Sequence, residues 1–377
     1  MTRRLRIAMI GQRGLPATFG GVEHHVEEIG ARLASRGHQV TVFSRRSYAP
    51  EQRASYRGMR VRALPTVSSK HLDAIVHSGV STLAAISDAV DVVHYHAVGP
   101  GLPAFVPRYF SRAKVVQTIH GRDAERAKWG GVARTALRAG EWLSARVPDA
   151  TIVVSRDLAD TYQALYRRRT CRIPNGVDPR THRPASGISE KWGLCEGAYV
   201  LFVGRLVPEK APDLLVRAFR RVSGDVRLVV AGGSSFTDAY VAELERAAAS
   251  DPRVLLVGYV YRELLEELYA NAAVFVLPSS LEGLPLTILE AASYGTPVIA
   301  SAIAPHREIL GDDAPGRRLV TDGSEAALAE ALSAALADPA AERAGARVLR
   351  DEVLATYRWD EVAEATERVY LEVMNGR

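Results

Sequence analysis

In this 377-residue chain, two glutamates eight positions apart have side chains and a spacing that suit a ligand-binding site. Glu282 and Glu290 bound the segment EGLPLTILE, which follows the apolar run Val274–Leu277. The run predicts a buried parallel strand, and the segment after it predicts a helix that ends at Gly295. Open α/β sheets bind ligands at the carboxyl ends of their strands, so both acids are expected at such an edge.

The backbone between the two glutamates, from Gly283 through Leu284 and Pro285 to Thr287, forms the predicted N-terminus of that helix. Free N–H groups and the helix dipole favour phosphate there. Carboxylates accept hydrogen bonds from sugar hydroxyls. The arrangement therefore suits a nucleotide sugar, which has a diphosphate between two hydroxyl-rich groups. Two exposed acids at a helix end are the alternative, because this spacing alone is common.

Two cations stand in an earlier predicted strand-to-helix loop, within the stretch GRLVPEKAPDLL. Arg205 and Lys210 lie between the apolar run 200–203 and a helix predicted from Ala211. Two cationic side chains of different length and shape, placed at one sheet edge, can neutralise a diphosphate leaving group. Solvated loop charges are the alternative, because Arg and Lys are usually exposed.

Two loops that follow predicted strands in the first half of the chain add further candidate ligand-binding residues. Gly20 and Gly21 immediately precede a helix, so backbone can approach a ligand closely there. This first turn is neither G-x-G-x-x-G nor a Walker loop, which counts against a dinucleotide or ATP site. His120 stands at the carboxyl end of a predicted buried strand, where ligand contact is expected. The weaker candidates, for which a structural role is weighed equally, are His24, His25, His94 and His96.

The motifs follow one another in a characteristic order. They are Gly20-Gly21, His120-Gly121, PNGVD at 174–178, Gly204-Arg205 with Lys210, and Glu282 with Glu290. Together they resemble the retaining GT-B glycosyltransferases of family GT4 over essentially the whole chain. Within that family, GQRGLPATFGG and TIHGRDAERAKWGG are most similar to bacterial transferases that build capsular or exopolysaccharide units, some of which transfer rhamnose. Val22, His24 and His25 depart from the Gly-Gly-Phe-Glu pattern of that subgroup.

The resemblance implies transfer of a hexose or deoxyhexose from a nucleoside-diphosphate sugar to a saccharide acceptor, expected to be lipid-linked, in bacterial polysaccharide or glycolipid biosynthesis. It implies front-face displacement, in which the leaving phosphate accepts the acceptor's proton. The residues expected to act in catalysis are His120, Arg205, Lys210 and Glu282. The residues expected to bind the donor are Gly20, Gly21, Arg205, Lys210, Gly258, Glu282, Gly283, Leu284, Pro285 and Glu290. Glu282 would hold the sugar, Glu290 the ribose, and the main chain near Gly258 the base.

Length and periodicity predict an α/β architecture of two domains. Alternating strand and helix patterns predict two Rossmann-like, doubly wound parallel sheets, which in the GT-B fold face each other across a cleft. The predicted strands lie near 5–10, 39–43, 92–95, 114–119 and 150–154, and near 199–203, 226–231, 253–257, 273–277 and 297–300. We expect an acceptor-binding domain at 1–180 plus a returning helix at 359–377, and a nucleotide-sugar-binding domain at 181–358.

Composition excludes several classes of protein. No apolar run is long enough to span a bilayer, and no signal-peptide core follows the charged N-terminus, so a cytoplasmic location is expected. Cys171 and Cys195 form no disulfide framework. The sequence has neither a Cys/His cluster with zinc spacing nor an Asp-x-Asp triplet. No metal and no other cofactor is therefore expected.

The first half of the chain is strongly basic. Residues 1–180 hold 28 Lys and Arg against 14 Asp and Glu, whereas residues 181–377 hold 20 against 29. A basic half can meet nucleic acid, an anionic membrane or an acidic substrate. No nucleic-acid module is recognisable, and the resemblance to a family that glycosylates lipid-linked acceptors implies an anionic membrane surface as the partner. Arginines gather around aromatic residues in three clusters: Arg53, Arg57, Arg60 and Arg62 with Tyr56; Arg108 and Arg112 with Tyr109 and Phe110; Arg134 and Arg138 with Trp129 and Trp142. The alternative is that these arginines serve solubility and bind no membrane.

Other functions stay open at this point. A soluble small-molecule acceptor and a sugar-nucleotide epimerase with the GT-B fold are both compatible with these motifs. A Rossmann oxidoreductase would need the missing G-x-G-x-x-G turn, and a non-catalytic scaffold would be expected to have lost the candidate residues.

Overall fold

The structure is a computed structural model that describes residues 3–18, 20–48, 54–67, 73–122, 125, 131–234 and 237–376. Its contacts divide the chain into two compact units. Unit 1 comprises Met1–Gly176 and Trp359–Arg377, and unit 2 comprises Val177–Arg358. The boundary expected from the sequence lay between residues 180 and 181.

Unit 1 is built on an eight-stranded sheet. Its strands are β1 (Arg6–Ile10), β2 (Gln39–Arg45), β3 (Ser55–Tyr56), β4 (Met59–Leu64), β5 (Val92–His96), β6 (Lys114–Ile119), β7 (Ala150–Val153) and β8 (Cys171–Arg172). Their order is β3-β4-β2-β1-β5-β6-β7-β8, and only β3 pairs antiparallel among these strands. The central strands are buried on both faces. Their cores are apolar, and β5 and β6 also bury the polar residues His94, His96, Gln117 and Thr118.

Helices cover this sheet and contribute to its core. They are α1 (Gly21–Ser35), α2 (Asp73–Ser87), α3 (Phe105–Phe110), α4 (Gly131–Arg146) and α5 (Arg156–Tyr166). Below them, a core of fully buried side chains includes Ile10, Phe43, Val93, Tyr95 and Val115. A 3-10 helix, Gly99–Ala104, connects β5 to α3.

Unit 2 contains a six-stranded parallel sheet. Its strands are β9 (Tyr199–Val203), β10 (Arg227–Ala231), β11 (Val254–Gly258), β12 (Val274–Leu277), β13 (Val298–Ser301) and β14 (Arg317–Val320), in the order β11-β10-β9-β12-β13-β14. Its helices are α6 (Gly187–Trp192), α7 (Pro212–Phe219), α8 (Asp238–Ala248), α9 (Arg262–Asn271), α10 (Leu286–Ser293), α11 (Ala304–Leu310), α12 (Glu325–Ala337) and α13 (Pro339–Thr356).

The last helix, α14 (Trp359–Met374), belongs to unit 1 and packs against α1. Trp359 is buried, and Arg32 Nε donates to Asp360 Oδ1 at 2.8 Å. Farther along, a ring nitrogen of His38 lies 3.0 Å from Glu367 Oε1. Packing against α1 and two polar contacts, one from α1 and one from His38 beyond its end, therefore attach the C-terminal segment to unit 1.

Four strands were missed by the sequence analysis: β3, β4, β8 and β14. All four lie at or beside a sheet edge. In β4, Arg60 and Arg62 alternate with apolar residues because one face of an outer strand is solvated. The sequence analysis noted these arginines as a basic cluster and did not predict the strand that carries them.

The two sheets share one topological feature. In unit 1 the chain places β1 between β2 and β5, and in unit 2 it places β9 between β10 and β12. Strand order reverses at these points, and ligands of open α/β sheets bind at such switch points. The predicted fold class, two doubly wound parallel α/β units, is confirmed. Among the described residues, no helix has the length and apolar content needed to cross a membrane.

Candidate functional site

The loops that follow β9 and β12 meet at the switch point of unit 2. The two strands are adjacent and parallel, with Val200 opposite Val274. The backbone N–H of Ser280 donates to the carbonyl oxygen of Glu209 at 3.0 Å, which joins the two loops. The loop after β9 carries Arg205 and Lys210, and the loop after β12 leads to Glu282, so the structure brings the two segments together at one sheet edge.

Lys210 and Glu282 form an ion pair across these loops. Lys210 Nζ donates to Glu282 Oε1, and the two side chains are 13% and 9% exposed. Burial alone would raise the pKa of the Glu282 carboxyl, but the positive charge of Lys210 and its hydrogen bond outweigh burial and hold that pKa below its ordinary value. Glu282 is therefore ionised at neutral pH. A diphosphate that binds Lys210 competes directly with this carboxylate.

Glu290 lies in the second turn of α10 and has a partner that the sequence analysis missed. Tyr269 Oη donates to Glu290 Oε2 at 3.0 Å. The Tyr269 ring is buried in α9 and stacks on Tyr294, with centroids 6.0 Å apart. Burial and the nearby Glu290 raise the pKa of Tyr269 well above its ordinary value, so it remains a donor. The contact orients one carboxylate oxygen of Glu290.

The N-terminus of α10 lies a few residues after Glu282. Pro285 is the cap residue, and Gly283 and Leu284 are buried ahead of it. The Thr287 hydroxyl in the first turn is buried and has no hydrogen-bond partner among the described residues. Because the first N–H groups of a helix lack intrahelical acceptors, this end offers several donors to a ligand.

Close backbone packing fixes the neighbouring loops. Gly232, after β10, has a φ of +152°, and a Cβ there would lie 1.8 Å from the carbonyl oxygen of Gly204. Half-buried Arg205 follows Gly204 directly. Gly258, at the end of β11, has a φ of +68°, and its carbonyl oxygen accepts from Gly232 N at 2.8 Å. The predicted donor segment at Gly258 therefore lies beside the loop after β10.

The loop between β1 and α1 is held by two carboxylates on α1. Glu23 Oε1 accepts from the backbone N–H of Arg13 at 2.9 Å, and Glu27 Oε2 accepts from that of Ala17 at 2.7 Å. Gly20 has a φ of +103°, and a Cβ there would lie 2.1 Å from Glu23 Oε2. Gly20 thus makes room for Glu23, while Gly21 begins the helix. In the sequence, the i, i+4 spacing of Glu23 and Glu27 indicates that both acids lie on one face of the helix, which was the available signal for this role.

His120 lies in a group of histidines contributed by three elements of unit 1. It follows β6, and its Nε2 lies 3.3 Å from Nδ1 of His96, the last residue of the adjacent β5. His25 of α1 packs edge-on against His120, with ring centroids 4.7 Å apart. The Nδ1 of His25 lies 2.9 Å from Oδ1 of Asn175, so the PNGVD motif supports this group.

His94 has a structural role beside that group. Its Nδ1 lies 2.6 Å from the Tyr370 hydroxyl, and its Nε2 lies 2.7 Å from Thr118 Oγ1. Burial, assisted by His25, lowers the pKa of His94 to about 3. Burial lowers the pKa of His25 to about 4, although its hydrogen bond with Asn175 opposes the shift. These imidazoles are therefore neutral at pH 7.

The arginine clusters differ in what their side chains do. Arg57 pairs with Glu27 and Glu28, and Arg62 pairs with Asp88, so two arginines of the first cluster stabilise unit 1 internally. Arg53, Trp129 and the side chain of Arg134 lie outside the described residues. The aromatic side chains of α3 and α4 are exposed: Phe105 (47%), Tyr109 (67%), Phe110 (76%) and Trp142 (52%).

Comparison with known proteins identifies the family. Residues 19–181 match the glycosyltransferase family 4 description, and residues 197–338 match that of glycosyl transferases group 1. The chain is 31% identical to a D-inositol 3-phosphate glycosyltransferase of Xylanimonas cellulosilytica, over all of this chain and 99% of the relative.

Solved structures with the same fold cover the whole chain. Sucrose-phosphate synthase from Thermosynechococcus elongatus superposes with a TM-score of 0.87 at 24% identity, over 99% of this chain and 100% of that one. Anabaena HepE, solved with UDP-glucose, superposes with a TM-score of 0.81 at 18% identity, over the same shares. The chain therefore belongs to the family 4 glycosyltransferases and has the GT-B fold.

Proposed function

We propose that this protein is a retaining, metal-independent glycosyltransferase that moves a hexose or deoxyhexose from a nucleoside-diphosphate sugar to a saccharide acceptor. The observation that carries the proposal is the Lys210–Glu282 pair at the switch point of unit 2, beside the N-terminus of α10. It combines a cation and helix N–H donors for phosphate with a carboxylate for sugar hydroxyls.

Donor binding would rearrange this pair. Lys210 and Arg205 would contact the diphosphate, together with the N–H groups and the Thr287 hydroxyl at the start of α10. Transfer of Lys210 to the phosphate releases Glu282 to accept hydrogen bonds from the sugar. Glu290, oriented by Tyr269, would accept from the ribose hydroxyls.

The proposed chemistry is displacement on one face of the sugar. The bond from the anomeric carbon to the phosphate oxygen breaks, and the acceptor oxygen bonds to the same face of that carbon. The acceptor's hydroxyl proton passes to the leaving phosphate. Lys210, Arg205 and the helix N-terminus would stabilise the charge that develops on that phosphate. His120 would contact a hydroxyl of the donor sugar, and Gly20 and Gly21 would allow close backbone approach to the donor.

The proposed acceptor is lipid-linked, and unit 1 would reach it from an anionic membrane at the cytoplasmic face. The aromatic surface of α3 and α4, formed by Phe105, Tyr109, Phe110 and Trp142 with Arg112, supports this part of the proposal. Both helices adjoin the 3-10 helix that follows β5. Exposed aromatic rings beside arginines suit the interface of an anionic bilayer.

A soluble phosphorylated acceptor is the second candidate. The observation that favours it is the relative named as a D-inositol 3-phosphate glycosyltransferase, because that acceptor is a small phosphorylated polyol. The excess of basic residues in unit 1 would suit either acceptor.

The test is a transfer assay preceded by a thermal-shift screen of UDP-, GDP-, dTDP- and ADP-sugars. We expect one donor class to stabilise the protein, and we expect sugar transfer with retained anomeric configuration in EDTA. The Lys210→Met variant should be inactive, whereas Arg217→Met on α7 should retain activity because Arg217 pairs on the helix surface. An isomerised sugar nucleotide formed without acceptor would identify an epimerase instead, and rescue of activity only by Mg²⁺ or Mn²⁺ would contradict metal independence.

A further inference from the structure

Three histidines that are far apart in the sequence converge in unit 1. His25 comes from α1, His96 ends β5 and His120 follows β6, and one ring nitrogen from each lies within 4.8 Å of the other two. We propose that this histidine triad binds a divalent transition-metal ion of the zinc class. The sequence search for zinc spacing could not find it, because that search requires ligands close together along the chain.

The spacing fits a tetrahedral zinc ion. Zinc binds histidine nitrogens at about 2.0 to 2.1 Å, so two such nitrogens on one tetrahedral ion lie about 3.4 Å apart. His96 Nδ1 and His120 Nε2 already lie 3.3 Å apart. His25 would need to approach by at most about 1.4 Å to complete the site.

The neighbours of His25 prepare it as a ligand. Asn175 Oδ1 can only accept, so the 2.9 Å contact requires that His25 Nδ1 carry the proton and Nε2 keep its lone pair. Histidines that bind metals usually donate their second nitrogen to such an oxygen, which fixes both the tautomer and the ring orientation. The ring of Trp359 packs edge-on against His25 and restricts it further.

The chemistry of the triad favours a particular class of ion. Three imidazoles suit Zn²⁺, Ni²⁺ or Cu²⁺, whereas Mg²⁺ and Ca²⁺ prefer oxygen ligands. His25 and His96 are buried at 2% and 0% exposure, so their rings are held in place. His96 Nε2 is buried with no hydrogen-bond partner among the described residues, so binding an ion through Nδ1 breaks no second contact of this ring.

The consequence for activity rests on the proposed function, whereas metal binding does not. His120 is the residue proposed to contact the donor sugar, and a bound ion would hold its ring nitrogen. Zinc should therefore inhibit sugar transfer, and a chelator should restore it. This expectation agrees with an enzyme that needs no metal for turnover.

The experiment is a calorimetric titration of the chelator-stripped full chain with ZnCl₂. We expect binding of one Zn²⁺ per chain, lost in His25→Gln, His96→Gln and His120→Gln. The matched control is His24→Gln, because His24 neighbours His25 but contributes no nitrogen to the triad. Asn175→Ala should weaken binding about 10- to 100-fold through the loss of the orienting contact. Absence of saturable binding, or binding that survives in all three triad variants, would overturn the inference.

A second measurement does not depend on variants that fold. X-ray absorption of the zinc-loaded wild type should show about three imidazole ligands at the distances expected for Zn–N bonds. Sulfur or carboxylate ligation alone would overturn the assignment. If zinc binds the triad while sugar transfer is unaffected, the metal site stands and the proposed role of His120 in transfer is wrong.

Discussion

At the scale of single residues, the Lys210–Glu282 pair has both a structural and a chemical consequence. The two side chains are largely buried and neutralise one another. Removing one partner leaves an uncompensated charge in a poorly solvated place, which costs stability whatever the catalytic role. A variant of either residue alone cannot separate the two effects.

Lys210→Met should lower the free energy of unfolding by about 3 kcal/mol, because Glu282 remains buried without its cation. The double variant Lys210→Met/Glu282→Gln should recover most of that loss, because both charges are gone. Sugar transfer should stay at least 100-fold below wild type in both variants, because the phosphate contact is still missing. Urea unfolding and turnover at saturating donor measure the two effects. A double variant with normal turnover would disprove the role of Lys210.

The burial of His306 predicts that the stability of unit 2 depends on pH. Its Nδ1–H donates to the carbonyl oxygen of Ser301 at 2.8 Å, and burial lowers its pKa to about 4, although the nearby Glu282 opposes the shift and Lys210 reinforces it. The unfolded chain takes up this proton near pH 6.5, before the folded chain does. Stability is therefore complete above pH 6.5 and falls as the pH drops towards 4.

Between pH 7 and pH 5 this group should cost about 2 kcal/mol of unfolding free energy. His306→Asn keeps a donor for Ser301 and removes the titrating ring, so its pH-dependent loss should be smaller than that of wild type by that amount. His182→Asn is the control, because His182 is exposed in the folded chain. Urea titrations at the two pH values give the comparison. Identical pH-dependent losses in His306→Asn and wild type would show that His306 takes up its proton equally in both states.

At the scale of elements, the donor loop after β9 depends on backbone packing beneath it. A Cβ at Gly232 would collide with the carbonyl oxygen of Gly204 and push the Arg205–Lys210 segment away from β12. Gly232→Ala should therefore reduce nucleoside-diphosphate affinity at least tenfold. Gly224→Ala is the matched control, because Gly224 has a φ of +98° and nothing within 4 Å of the added Cβ. Both substitutions place an alanine at positive φ, which costs about 1 to 3 kcal/mol of stability. Equal affinity in the two variants would contradict the dependence of the loop on Gly232.

The elements also show what the sequence could predict. Ten strands are recognisable because their sequences are largely apolar, as is typical of buried parallel strands. Strand β4, beside a sheet edge, and the edge strand β14 are not, because the partly exposed Arg60 and Arg62 or Arg317 and Arg318 interrupt that pattern. Fold class therefore follows from the core, while the limits of each sheet need tertiary context.

The candidate site was likewise predictable only in part from the sequence. Residues in the loops that leave the carboxyl ends of strands, such as His120, Arg205 and Glu282, follow from the edge rule for parallel sheets. Tyr269 and His25 lie inside helices, and only the packing of those helices brings them to Glu290 and His120. No local spacing signals such contacts.

At the scale of the whole molecule, the aromatic surface of α3 and α4 predicts salt-sensitive binding to anionic membranes. Wild type should co-sediment with phosphatidylglycerol vesicles at low salt and be released near 0.5 M salt, where the Debye length is a few Å. Tyr109→Ser/Phe110→Ser should abolish binding. Leu165→Ser on α5 is the control, because Leu165 is an exposed apolar residue outside that surface. Failure of wild type to bind at low salt would favour the soluble acceptor.

The most direct test of the central claim, a nucleotide-sugar site at the switch point of unit 2, is calorimetric titration of the nucleoside diphosphate found in the donor screen. Glu290→Gln should weaken its binding at least tenfold, because a ribose acceptor is lost. Glu282→Gln should bind it at least as tightly as wild type, because Lys210 is released to the phosphate, yet should transfer no sugar. Equal losses of affinity in both variants, or wild-type affinity in Glu290→Gln, would contradict the account.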